Sequence, residues 1–212
     1  MPAPRIVVRP ALAVFLAFRT TYYFLVRVFV CEPLFKAYCK SYGTNLKTGV
    51  FVHWVQGSGD LILGDNVTVD GRCTFAFAAR YSDRPTLIIG SNTRIGHSNS
   101  FTIGKEIRVG SHCLFAGNVT VFDSSGHPTD PTRRYLGYPS DPDRVRPVVI
   151  GDNVWIGSNV IILPGVRIGD NSVVAAGSVV RDEVSANTLV SGNPAQRVRS
   201  LVPPDAAQMT RA

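Results

Sequence analysis

The chain has 212 residues, 45% hydrophobic and 17% charged, with 19 Gly, 14 Pro and a formal net charge of +7. This balance excludes an intrinsically disordered chain, and the lack of a G-X-Y period or sustained heptads excludes collagen and coiled coil. The charge is uneven: residues 1–50 hold seven basic residues (Arg5, Arg9, Arg19, Arg27, Lys36, Lys40, Lys47) against Glu32, whereas residues 51–212 hold 15 basic and 14 acidic ones. A nearly neutral body behind a basic, apolar segment points to a membrane surface and away from nucleic acid.

Residues 10–35 read PALAVFLAFRTTYYFLVRVFVCEPLF. Pro10 suits a first helical position and Pro33 a stop, which predicts one helix of about 20 residues. Arg19 and Arg27 cut the apolar runs, so no uncharged stretch of about 18 residues is present to span a bilayer. At about 100° per residue Arg9 and Arg27 project the same way, and Arg19 lies about 80° away. Residues 1–50 are therefore expected to form a basic, apolar helical segment whose residues 1–40 lie peripherally on a membrane. Docking on its own domain or on a neighbouring subunit is the alternative. ALAVFLAF has the length of a signal-peptide core, but Arg-Thr-Thr-Tyr follows it instead of a small-residue cleavage site. The four cysteines (Cys31, Cys39, Cys73, Cys113) form no C-x-x-C pair and no zinc spacing, which fits buried, reduced thiols in a cytoplasmic protein.

A period of six dominates the remainder. From residue 150 the chain divides into IGDNVW, IGSNVI, ILPGVR, IGDNSV, VAAGSV and VRDEVS, opened by Ile150, Ile156, Ile162, Ile168, Val174 and Val180. The same phase recurs at Leu63, Val69 and Phe75, at Ile89 and Ile95, and at Ile103, Val109, Phe115 and Val121. This period matches neither a helical stripe nor an ordinary strand. It matches a coil of short parallel strands whose inward aliphatics stack between turns, with Gly, Asn and Asp at tight corners. The step from Ile95 to Ile103 is eight, which predicts a bulge there. FAARYSDRP (77–85) is a short interruption, and the step of 29 from Val121 to Ile150 contains a projecting loop at 122–149. Long excursions from a regular scaffold carry function.

The string IGDNVWIGSNVIILPGVRIGDNSVVAAGSVV, with SGHPTDPTRR at 125–134 and GNPAQRVR at 192–199, resembles the hexapeptide-repeat acyltransferases. Within them it is most similar to the galactoside, maltose and nodulation-factor O-acetyltransferase branch. The resemblance, over about residues 60–200, implies an all-β, left-handed parallel β-helix at 51–200, preceded by an α-helix and followed by a tail at 201–212. It also implies acetyl-CoA as co-substrate, no metal, a homotrimer with active sites between solenoids, and a sugar or glycan acceptor.

By the same resemblance His127 is the catalytic base. A sugar hydroxyl is a poor nucleophile until its proton is removed, and an imidazole titrating near neutrality can take that proton. The oxyanion donor falls on the backbone N–H of Ser158. Trp155 falls where an aromatic packs on the pantetheine arm, Ala176 where a backbone group holds its amide, and Arg197 and Arg199 near the coenzyme phosphates. Arg133 and Arg134 fall at acceptor-binding positions, and Asn99 at another, with an ordinary corner asparagine as its alternative. Gln196 and Arg181-Asp182 depart from the basic residues usual in the family. An amino group on a nucleotide-linked sugar is the alternative acceptor; cell-surface polysaccharide or lipopolysaccharide synthesis at the inner face of the plasma membrane is the expected setting.

Three other readings are weaker. His97, His112 and His127 are spaced 15 and 15, but steps of 15 on a coil of about 18 move one face each time, unlike the ligand set of a γ-class carbonic anhydrase. Serine acetyltransferases need a larger helical domain ahead of the coils. A catalytically dead scaffold would not need the G-H-P loop.

Overall fold

The computed structural model describes residues 5–201, so the predicted tail at 201–212 lies outside it apart from Leu201. Three sheets of six, eight and six strands form the faces of a triangular solenoid, parallel throughout except for the last strand of the second, Ala195–Ser200, which folds back antiparallel on Thr188–Gly192. Each turn of chain contributes one strand to each sheet in order, so neighbours in a sheet lie one coil apart. Inward residues stack in columns: Leu63, Ile89, Val109, Ile150 and Ile168 on the first sheet, Val69, Ile95, Phe115, Ile156, Val174 and Val190 on the second. The third stacks Val55, Phe75, Phe101, Val121, Ile162 and Val180. The period of six therefore reports one inward side chain per face.

Phe101, not Ile103, continues the third column. Phe101 keeps the step of six from Ile95, and Ile103 is a second inward residue on the same strand, paired with Phe77. Alternation along a strand turns both residues inward. The predicted bulge between 95 and 103 is absent; the extra residues fall at the next corner, before Ile107 and Val109. The first coil begins at Ser41, inside the segment assigned to the helix, and its Leu46 and Thr48 are buried.

The corner between the first and second sheets needs a left-handed backbone, supplied by Asn45, Asn66, Asn92, His112, Asn153, Asn171 and Asn187, all at φ between 54 and 59°. Asparagine tolerates this region better than most residues. Its amide also bonds the next coil: Asn153 donates to Asn171 and Asn171 to Asn187, each at 3.0 Å.

The helix is longer than the sequence predicts. Helix α1 spans Arg5–Val26, a π turn covers Arg27–Cys31, and helix α2 spans Glu32–Tyr38. Pro10 lies inside α1, and Pro33 does not stop the chain. A proline clashes with the carbonyl four residues earlier, and the widened turn just before Pro33 (Glu32 N–H to the Arg27 carbonyl) takes up that conflict. The stretch Val8–Tyr38 is long and apolar enough on average to cross a membrane, with Arg9, Arg19 and Arg27 inside it. Phe35 of α2 caps the open end of the solenoid, 4.5 Å from the His53 ring and 5.6 Å from that of Phe75, centroid to centroid. The stack continues from Phe75 to Phe101 at 5.6 Å.

Candidate active site

The excursion leaves the third sheet at Phe122, contains helix α3 (Pro131–Tyr135), and rejoins the first sheet at Val148. Its base is held by Asp123, a fully buried acid accepting N–H bonds from Gly104 (2.6 Å), Lys105 (2.7 Å) and Glu106 (2.9 Å). Burial pushes this carboxyl above its usual range, and the three donors oppose that rise. The Arg146 N–H donates to the Asp123 carbonyl at 2.9 Å, pinning the two ends together. Asp130 caps α3 by accepting from the Arg133 N–H at 2.7 Å, and Pro131 follows as a first helical residue.

His127 sits exposed on this excursion. Its carbonyl accepts from the Ser140 hydroxyl at 2.7 Å and the Ser125 hydroxyl at 3.3 Å. Tyr81, from the short interruption at 77–85, donates to the Gly126 carbonyl at 3.3 Å and accepts from the Ser140 N–H at 3.1 Å. The backbone beside the imidazole is thus fixed by groups from both interruptions, while the ring remains open.

A second set of residues lies on another face. Trp155 is exposed on the outside of the second sheet, in register with Leu114 and Val173, and the row runs on through Leu189 to Arg199. At about 4.8 Å per strand this is an apolar strip about 14 Å long ending in a guanidinium. Ser158 and Ala176 stack at the adjoining corner, where the Gly177 N–H donates to the Ser158 carbonyl at 2.8 Å. The N–H groups flanking Ser158 are taken, Gly157 by Val174 and Asn159 by Gly117; that of Ser158 finds no acceptor among the described residues. An open backbone donor beside an apolar strip can receive a developing oxyanion.

The family model for the bacterial transferase hexapeptide (six repeats) matches residues 147–182. A Saccharomyces cerevisiae protein assigned to the acetyltransferases is 39% identical over 139 residues, covering 64% of this chain and 68% of its own length. The chain belongs to the hexapeptide-repeat acetyltransferases. The galactoside O-acetyltransferase of Escherichia coli is 33% identical over 66% of this chain and 63% of its own. A hexapeptide-repeat acetyltransferase of Vibrio cholerae, solved with acetyl coenzyme A, is 28% identical with a TM-score of 0.58, over 85% of this chain and 84% of that one. The solenoid is the left-handed parallel β-helix of this family.

Within this hexapeptide-repeat scaffold the sequence-predicted residues separate into groups. Trp155, Ser158, Ala176 and Arg199 share one face and its corner. His127 lies on the excursion that leaves the third sheet at Phe122, whereas Ser158 lies at the corner where the chain enters that sheet one coil on. Arg197 is corrected: it pairs with inward-facing Val190, so it lies on the side opposite Arg199 and lines a hollow with Asp182 and Glu183. Acidic neighbours make that a poor phosphate site. Asn99 takes the second of its two readings, the corner asparagine. It is buried, donating to the Gly96 and Ala116 carbonyls at 2.8 and 3.0 Å and accepting from the Val119 N–H at 2.6 Å, so its amide staples a corner.

Arg133 and Arg134 each use part of the guanidinium for contacts inside the loop, and both remain partly exposed. Arg133 pairs with Asp141, and Arg134 donates to the carbonyls of Pro128 (3.3 Å) and Thr129 (2.9 Å), directly after His127. His97, His112 and His127 occupy three different corners of the solenoid. Among the described residues no three His, Cys, Asp or Glu side chains converge as metal ligands. Cys31, Cys73 and Cys113 are buried free thiols, and Cys39 is half-buried; burial pushes Cys73 and Cys113 up to about 11. Sequence reasoning missed Asp123, Tyr81, Ser125 and Ser140. One signal was present: both interruptions follow third-sheet strands, so both emerge at one corner.

Proposed function

We propose that this chain transfers the acetyl group of acetyl-CoA to a hydroxyl of a sugar or glycan destined for cell-surface polysaccharide or lipopolysaccharide. His127 takes the proton from the acceptor hydroxyl as its oxygen attacks the thioester carbonyl. The Ser158 N–H receives the charge that forms on the carbonyl oxygen. Collapse of the tetrahedral intermediate breaks the carbon–sulfur bond, and the departing thiolate takes the proton from the imidazolium. In this reading Trp155 and the strip toward Arg199 supply the bed for the extended coenzyme arm and its phosphates.

The observation that carries this reading is the division of the site. The base and the oxyanion donor belong to different corners of one solenoid, so in this reading an adjacent copy supplies one of them. Closed cyclic symmetry satisfies all such sites at once, and the family resemblance makes three the expected number.

Acetyl-CoA turnover with free sugars, nucleotide sugars and lipid-linked oligosaccharides tests the reaction. An ester product, cleaved by mild alkali, is expected; an alkali-stable amide would assign the amino group of a nucleotide-linked sugar instead. His127→Ala is expected to lose about 10²–10⁴-fold in rate while remaining folded. Unchanged turnover, or a monomer by light scattering with full activity, would remove the assignment.

A further inference from the structure

Helix α1 is the part of the molecule that neither the solenoid nor the proposed chemistry uses. Only 6% of its apolar window is buried, and large apolar side chains stand in solvent along its whole length. Val14 and Phe18 are 71% and 73% exposed, and Leu25 lies nearby on the same side. At about 100° per residue, Phe18 projects opposite Arg9, with Val14 and Leu25 within about 40° of Phe18. Arg19 and Arg27 fall on the Arg9 side. No acidic residue precedes Glu32, while four arginines do. A helix of 22 residues is about 33 Å long.

We infer that α1 lies in the plane of an anionic lipid surface, with Val14, Phe18 and Leu25 among the acyl chains and Arg9, Arg19 and Arg27 at the headgroups. One observation favours lipid over a second copy of the chain. The cations, with no acid among them, offer a second copy only like charge but suit phosphate headgroups. Arg19 decides between lying and crossing: it falls well inside α1, so a transverse helix would bury its guanidinium in hydrocarbon, where charge is strongly disfavoured. In the plane, Arg9 and Arg19 reach water, while Arg27 stays half-buried with its Nε covered beside the Phe24 ring. The anchor is joined to the body through the continuous π turn and α2, whose Phe35 is locked beneath His53 and Phe75. The excursion carrying His127 emerges three coils along the axis, about 15 Å from the coil α2 caps. This placement does not depend on the acyl-transfer reading.

Flotation of the full-length protein with phosphatidylcholine vesicles, with and without phosphatidylglycerol, tests it. Wild type is expected to float with the anionic vesicles and to be released by alkaline carbonate. Arg9→Gln and Arg27→Gln are each expected to weaken partitioning about fivefold, additively and less so in high salt. Val14→Asp with Phe18→Asp is expected to abolish flotation while leaving the thermal melt of the solenoid unchanged, since both side chains touch solvent. Equal flotation by the aspartate variant overturns the inference. So does carbonate-resistant, charge-independent binding, which would mean a crossing helix. A wild-type protein that never floats, but whose mass by light scattering falls in the aspartate variant, would assign the face to a second copy.

Discussion

The coils and the excursion between Asp123 and Arg146 are built by opposite means. A coil holds its place by apolar columns: Ile95, Phe101, Ile150 and Ile156 are fully buried, each stacked on equivalents above and below. The excursion buries none of its helix α3 and is held by a buried carboxylate, a tyrosine hydroxyl and two serines. Burial is cumulative and tolerant of direction, whereas hydrogen bonds are few and directional. Substitutions in the coils are therefore expected to change stability, and those in the excursion to change rate.

The largest effect should come from the aromatic stack. Phe101→Ala is expected to cost about 3–5 kcal/mol by denaturant midpoint, with turnover per folded molecule retained. A loss of turnover in fully folded protein would blur the division between the two regions.

His53 gives the next effect, and it is pH-dependent. Its Nδ1 accepts from the Cys73 N–H at 3.2 Å, and burial lowers its pKa to about 4 from an ordinary 6.5. The unfolded chain then binds more protons between those values. Stability is full above pH 6.5, falls as pH drops toward 4, and levels below that, by about 3 kcal/mol in all. His53→Gln keeps an acceptor for Cys73, and melts across this window should lose that part of the slope. An unchanged slope would show that the cap does not keep His53 neutral.

Tyr81→Phe removes only the hydroxyl between Gly126 and Ser140. The expectation is a small fall in melting temperature, about 1 kcal/mol, with a roughly tenfold loss of kcat and an unchanged KM for acetyl-CoA. A merely structural tyrosine would lower the melt and leave kcat alone, placing the excursion with the coils.

The smallest effect separates backbone from side chain at one corner. Asn171→Gly keeps the left-handed backbone but loses the bonds to Asn153 and Asn187, and Asn171→Ala loses the bonds and adds strain. The alanine variant should be less stable than glycine by about 1 kcal/mol in urea unfolding. Equal stabilities would mean that the amide ladder, not the corner conformation, selects asparagine.

The period was legible because each coil repeats one geometric demand. Ile150, Ile156 and Ile162 meet three faces in turn, so the same small set of residues recurs every six. Where two inward residues shared a strand, as with Phe101 and Ile103, that rule misassigned the phase. Trp155, Ser158 and Ala176 are placed by the family resemblance, and the structure stacks Ala176 on Ser158 at the corner beside Trp155's face. Arg199 could not be told from Arg197, because a bulge beside Leu189 decides which side each takes. The excursion left no such trace: Tyr81 meets Ser140 across 59 residues, and no local pattern records that contact.

Composition and period by themselves determined a coil of parallel strands, a basic apolar N-terminal helix and one long excursion, since all three rest on local, repeated or cumulative properties of the chain. Only the tertiary structure decided that α2 caps the solenoid while α1 stands clear, that Asn99 is spent internally, and that His127 and Ser158 belong to different corners. Those outcomes depend on which distant groups meet, and a hydrogen bond or a corner is specified by three-dimensional direction, which spacing along the chain does not carry.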